Sequence, residues 1–242
     1  MLKKILLVAA FWPLLSLADE PLQTVQVVAT RDAEWAGYRH AYKAHAMYAA
    51  YVRPYPLVQA HMQLRPANPQ TSMAGLRLQL AGTTGNIDIE VDTVGRALLP
   101  VSDQMYKEDA LLRLNRGKGL YHFSGRFSIR ERDDGVYAAD QLRAACEQLI
   151  SVQRDAGARL RLLRKNCAGI KFVYDASMQA PGVMFRDASG ADPLTIPVTD
   201  GHAFEDQTMG IYKLAIYRFA DWPREGVLLT PVKPVAIGTI YE

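Results

Sequence analysis

The sequence predicts an α+β protein of two tandem repeats, each a helical segment followed by a small antiparallel β-sheet or sandwich. Three observations predict it. Leu99-Pro100-Val101-Ser102-Asp103 returns as Ile196-Pro197-Val198-Thr199-Asp200, and the same offset of 97 residues carries Glu108-Asp109 onto Glu205-Asp206. Upstream, Asp92-Thr93-Val94-Gly95 answers Asp187-Ala188-Ser189-Gly190 with a small shift, and self-similarity over such a period marks a duplicated unit. In both copies the apolar spacing passes from three-and-four to two, as when a helix gives way to half-buried strands. Between the copies lies a charged, glycine-ended stretch, residues 130–135, of the kind that separates domains. The implied division is a leader over 1–18, a first repeat over 19–130, a linker over 131–136 and a second repeat over 137–242.

In chain order, residues 24–29 are β-branched and partly alternating, and read as a first strand. Over 34–52, Trp35, Tyr38, Tyr42, Ala49 and Val52 recur at helical spacing, which describes an amphipathic helix. Pro54 and Pro56 stop it, since each lacks an amide donor and restricts the residue before it. Residues 57–64 fit helix or strand, and 65–73 fit a loop. Leu76, Leu78 and Leu80, then Ile87, Ile89 and Val91, alternate with polar residues as two strands joined by a hairpin at 82–85. A third strand is expected over 96–101 and one or two helical turns over 103–110. Strands at 111–115, 120–123 and 126–129, the last two about a Ser124-Gly125 turn, complete the first sheet. The second copy opens with a helix over 137–153, broken near Gly157 and resumed through Leu160 and Leu163. Strands follow at 170–174, 183–185, 194–198, 212–218, 227–230 and 235–240.

Met1 to Ala18 places Lys3 and Lys4 ahead of an apolar run and closes on Ser16-Leu17-Ala18, which reads as a secretory signal peptide. That run is shorter than the roughly 20 residues of a spanning helix, and no cysteine follows it for lipid attachment. The expected product is therefore periplasmic or secreted, with no transmembrane anchor. Without the leader, 26 Lys and Arg face 25 Asp and Glu, so the formal charge falls from +3 to +1 and nucleic acid is not an expected partner. The densest basic cluster, Arg159, Arg161, Arg164 and Lys165, suits a polyanion or a solvated helix face. Cys146 and Cys167, in an oxidising compartment, imply a disulfide. Mapped onto the first copy they fall near Met47 and Met73, expected there as core neighbours.

The acids Asp103, Glu108 and Asp109, with Asp200, Glu205 and Asp206, are the polar set kept by both copies. Carboxylates suit a hard cation such as calcium, although the spacing lacks the glycine and the dense acid alternation of an EF-hand loop. The other reading is that Ser102 or Asp103, and Thr199 or Asp200, cap a short helix. No metal and no cofactor is expected, and the Asp-x-x-Gly steps read as turns. His202 lies beside Glu205 and Asp206 and is the acid or base candidate by proximity. Catalytic signatures such as Gly-x-Ser-x-Gly or His-Glu-x-x-His do not occur.

The expected function is non-catalytic binding or envelope association, with an envelope protein or a small ligand as partner. The alternative is an extracytoplasmic hydrolase using His202 with Glu205 or Asp206, or a cation held by the acids. Two packed copies place the preferred cleft at their junction. There His202, Trp222 and the helix tyrosines Tyr38 and Tyr42, present in one copy, are the candidate ligand contacts.

The alternating strands, Asp-x-x-Gly turn and Leu-Pro-Val of residues 76–101, with their counterpart over 170–198, resemble carboxypeptidase-regulatory or transthyretin-like β-sandwich domains. That resemblance implies an extracytoplasmic and mostly non-catalytic module. As a whole the chain resembles uncharacterised exported proteins of Gram-negative bacteria, which implies a compartment and no activity.

Overall fold

The computed structural model describes residues 33–189, 191–204, 207 and 209–242. The expected leader, the strand over 24–29, Glu205 and Asp206 lie outside them. The first half runs β1 (Ala33–Gly37), α1 (Tyr38–Val52), β2 (Val58–Pro66), β3 (Leu78–Ala81), β4 (Asn86–Ile89) and β5 (Arg96–Ala97). It closes with α2 (Asp103–Lys107), β6 (Leu111–Gly117) and β7 (Tyr121–Ile129). The second half opens with β8 (Val136–Ala138), α3 (Ala139–Gln153) and a π-helical turn (Arg154–Ala158). Then come β9 (Cys167–Tyr174), β10 (Met184–Arg186), β11 (Leu194–Thr195), β12 (Val198–His202), β13 (Ile211–Arg218), β14 (Val227–Leu229) and β15 (Ala236–Tyr241).

This overturns the expected α+β arrangement of helix followed by sheet. Among the described residues, fifteen strands in four antiparallel sheets face three α-helices, one of only five residues, so the chain is mostly β. The apolar runs read as helical begin as strands. β1 pairs with β6 and β8 with β14. At each strand-to-helix step the Tyr38 and Ala139 amides donate to the Ala110 and Gly226 carbonyls at 2.9 and 3.0 Å. Helical spacing cannot reveal a ladder partner far along the chain.

The four sheets follow two patterns. β1-β6-β3-β4 and β8-β14-β10-β11 have the same order of elements within their halves, and β5-β2-β7 and β12-β13-β9-β15 form the others. This correspondence does not follow the 97-residue register of the sequence motif. Residues 99–103 lead from β5 into α2, where the Ser102 hydroxyl accepts the Met105 amide at 3.3 Å as a helix cap. Thr199 and Asp200 lie instead inside β12, so they cap no helix.

Several local expectations change for physical reasons. The ambiguous residues 57–64 belong to β2, which pairs with β7 from Val58 opposite Ile129 to Pro66 opposite Tyr121. No turn forms at Ser124-Gly125, because Gly125 sits in mid-strand opposite Met62. Its missing side chain admits the Tyr48 ring, which a Cβ would overlap. The strand expected over 96–101 keeps only Arg96–Ala97. Beyond it, the Tyr38 hydroxyl donates to the Pro100 carbonyl at 2.5 Å and accepts the Ser102 amide at 2.9 Å. The β3–β4 hairpin and β9, β10, β13, β14 and β15 lie within a few residues of expectation, whereas the single strand expected over 194–198 is replaced by two, β11 and β12.

Three apolar clusters form the core. One lies in the first half, around Tyr38, Leu64, Leu80 and Leu112. A second gathers Leu142, Leu149, Phe172 and Tyr217 with Val58 and Ile129 of the first half. The third sets Val94 against Val173, Phe204, Met209 and Tyr212. Two clusters therefore cross between the halves, so the connection over 130–135 is no loose tether. The Cys146–Cys167 disulfide joins α3 to β9 with its α-carbons 6.0 Å apart. Met47, mapped onto this bridge in the first half, is 50 % exposed rather than core.

Candidate functional site

Where β2 and β7 face α3, β9 and β15, the side chains leave a cleft of about 310 Å³. Strand alternation supplies its floor. His61, Gln63 and Arg65 recur every second residue of β2 and line the cleft together. On the neighbouring strand, Arg126 lies opposite His61 and Ser124 opposite Gln63. Arg96 enters from β5, Lys171 from β9 and Arg161 from the turn after α3. Tyr48, two turns beyond Tyr42 on α1, also reaches it.

These groups are held in place. Arg126 donates to Gln63 Oε1 at 3.3 Å and its guanidinium lies 3.4 Å from the Phe204 ring centroid, a cation–π contact across the halves. Gln63 in turn donates to the Val94 carbonyl at 3.0 Å. Lys171 donates to the His202 carbonyl at 3.1 Å. Arg96 is the most constrained, donating to Asp92 at 2.7 Å, to Glu131 at 2.5 Å and to the Val235 carbonyl of the second half.

His61 is 7 % exposed and its Nε2 has no hydrogen-bond partner among the described residues. Burial, then the nearby Arg96 and Arg126 charges, push its pKa down to about 3. The ring is therefore neutral at neutral pH. Among the described lining residues five are Arg or Lys and none is Asp or Glu; Asp92 and Glu131 offset Arg96 from behind, and the remaining cations of the lining bias the cleft toward negative charge. Guanidinium groups do not release protons in proteins, so this arrangement holds an anion better than it moves a proton.

The residues singled out in the sequence are distributed differently. His202 touches the cleft's lining only through its carbonyl, which accepts from Lys171, while its Nδ1 lies 3.0 Å from the Gly210 carbonyl. Glu205 and Asp206 follow Phe204 in the chain but lie outside the described residues. Tyr38 is fully buried, and Tyr42 packs on Tyr38 and Tyr106 with ring centroids 5.9 and 5.0 Å away. Trp222 packs on Phe185 and Tyr217 and borders a separate depression with Pro197, Thr199 and Asp221. The structure does not gather His202, Tyr38, Tyr42 and Trp222 around one space.

The paired acids have local partners. Glu108 accepts the Thr84 hydroxyl at 2.7 Å, Gln104 at 3.0 Å and the Thr83 amide at 2.9 Å, which together hold its pKa down at about 2. Asp103 lies 3.4 Å from the Tyr42 hydroxyl, Asp109 pairs with Arg39 at 3.4 Å and Asp200 with Lys213 at 2.6 Å. Among the described residues no three His, Cys, Asp or Glu side chains gather as a metal site.

Sequence reasoning missed His61, Arg65, Arg96 and Arg126. One signal was available: in residues 58–65, His61, Gln63 and Arg65 alternate with Ala60, Met62 and Leu64, a strand with one polar face. No family model, curated protein or solved structure matches the chain.

Proposed function

We propose that the chain is a non-catalytic binding protein of the periplasm or the secreted fraction, and that the cleft between its halves holds a small ligand through a carboxylate or phosphate group. One observation carries this reading: five basic residues and the unpartnered Nε2 of His61 line one cleft that has no acidic residue among its described lining. Guanidinium forks match the two oxygens of such anions and bind them directionally. A neutral His61 adds one hydrogen bond of either polarity, since its tautomer is open. The volume of about 310 Å³ is at the small end of ligand sites, which suits a compact anion. The leader pattern of residues 1–18 and the Cys146–Cys167 disulfide support an extracytoplasmic location.

Titration calorimetry with inorganic phosphate, small mono- and dicarboxylates and neutral sugars tests it. An anion is expected to bind and the sugars are not. Arg65→Gln and Arg161→Gln should each weaken binding by about 10- to 100-fold, the worth of one charge-assisted hydrogen bond. Tighter binding of a neutral ligand, or anion binding indifferent to both substitutions, defeats the reading.

A further inference from the structure

Beyond the cleft, the turn after α3 carries a surface of a different kind. Residues 159–165 read Arg-Leu-Arg-Leu-Leu-Arg-Lys. Leu162 is 2 % exposed and anchors the turn, while Arg154 Nη2 donates to the Leu162 and Lys165 carbonyls at 3.2 and 3.0 Å. Its apolar neighbours are not buried: Leu160 is 89 % and Leu163 66 % exposed. Arg159, Arg161, Arg164 and Lys165 are all exposed around them. Asp155, 4.0 Å from Arg159, is the single acid between residues 154 and 166. The disulfide from Cys146 to Cys167 closes the segment at its base.

We propose that this tip docks the protein on the surface of an anionic membrane, with Leu160 and Leu163 entering the interfacial layer and the four cations meeting lipid phosphates. Two exposed leucines within a ring of basic side chains match the composition of interfacial lipid-binding segments. Each cation near an anionic bilayer strengthens attachment by about five-fold, and apolar insertion adds a second, salt-resistant contribution. A nucleic acid or a free phosphate would use the cations but leave both leucines in water, so the leucines select the membrane. The docking does not depend on the cleft, although Arg161, which lines the cleft, sits at its edge.

Vesicle co-sedimentation of the full mature chain separates these occupants. The probes are vesicles of equal parts phosphatidylcholine and phosphatidylglycerol, vesicles of pure phosphatidylcholine, a duplex DNA and inorganic phosphate. The wild type should bind the anionic vesicles at least ten-fold more tightly than the neutral ones. Leu160→Ser with Leu163→Ser should reduce that binding by about ten-fold or more, and Arg159→Gln with Lys165→Gln by about 25-fold. These side chains are exposed, so thermal midpoints should match the wild type and exclude misfolding as the cause. Arg161 is left intact, so failure here leaves anion binding by the cleft separately measurable. Equal binding to both kinds of vesicle, no binding to either, or unchanged binding by the leucine variant would overturn the proposal. DNA binding that survives the leucine substitutions, or release from vesicles by phosphate at constant ionic strength, would assign the cations to another anion and overturn it too.

Discussion

At the scale of single residues, His61 gives the clearest measurable consequence. Its folded pKa, about 3, lies below the ordinary value of 6.5, so between these values the unfolded chain binds a proton that the folded chain refuses. Stability from this group is fully present above about pH 6.5 and is lost as pH falls toward 3. The slope approaches ~1.4 kcal/mol per pH unit. Urea denaturation from pH 7 to 5 should therefore cost the wild type more than His61→Gln, by about that amount per unit once below pH 6.5. Parallel profiles for the two proteins would show that His61 titrates normally. Its role was not legible in the sequence because a lone histidine in an ambiguous segment carries no mark of its neighbours. Arg96 and Arg126 reach it only through strand pairing.

Among the elements, α3 and the turn after it depend on one covalent tie. Cys146 is fully buried against the second-half core and Cys167 opens β9, with a sequence separation of 21. Closing a loop of that size stabilises by about 3 kcal/mol in the chain-entropy model. Replacing both cysteines with alanine should lower stability by about that amount, read as the unfolding free energy extrapolated to water, with a steeper denaturant slope because the unfolded chain loses its cross-link. Protease cleavage should also increase first within residues 154–166. A change under ~1 kcal/mol would mean that packing alone holds the turn. This pairing was legible, since two cysteines in an oxidising context have one partner each. The length of α1 was not, because β6 draws residues 33–37 into a strand.

Over the whole molecule, the halves are joined by polar as well as apolar contacts. Arg96, 15 % exposed, bridges Asp92, the 10 % exposed Glu131 of the connecting segment and the Val235 carbonyl. Removing one member of a poorly solvated ion network leaves the other charges without compensation. Arg96→Leu should destabilise by about 3–5 kcal/mol, with part of the loss recovered by adding Glu131→Leu. Calorimetric melting of the single and double variants measures both effects. If Arg96→Leu costs less than ~1 kcal/mol, the network is solvated and does not secure the junction.

Local chemistry accounts for what was readable from residue order: the β3–β4 hairpin, β9, β10 and β13 to β15 of the second half, the disulfide and the capped turn at Ser102. Each rests on neighbours within a few residues, or on a pair with no competitor. The mostly β class, the different registers of the two motifs and the basic cleft were decided by contacts between distant segments. Alternation can say that His61, Gln63 and Arg65 share a face, but not which sheet that face meets. That choice came from strand pairing and from the apolar clusters that cross the halves, where the free energy belongs to the assembled surface rather than to any stretch of chain.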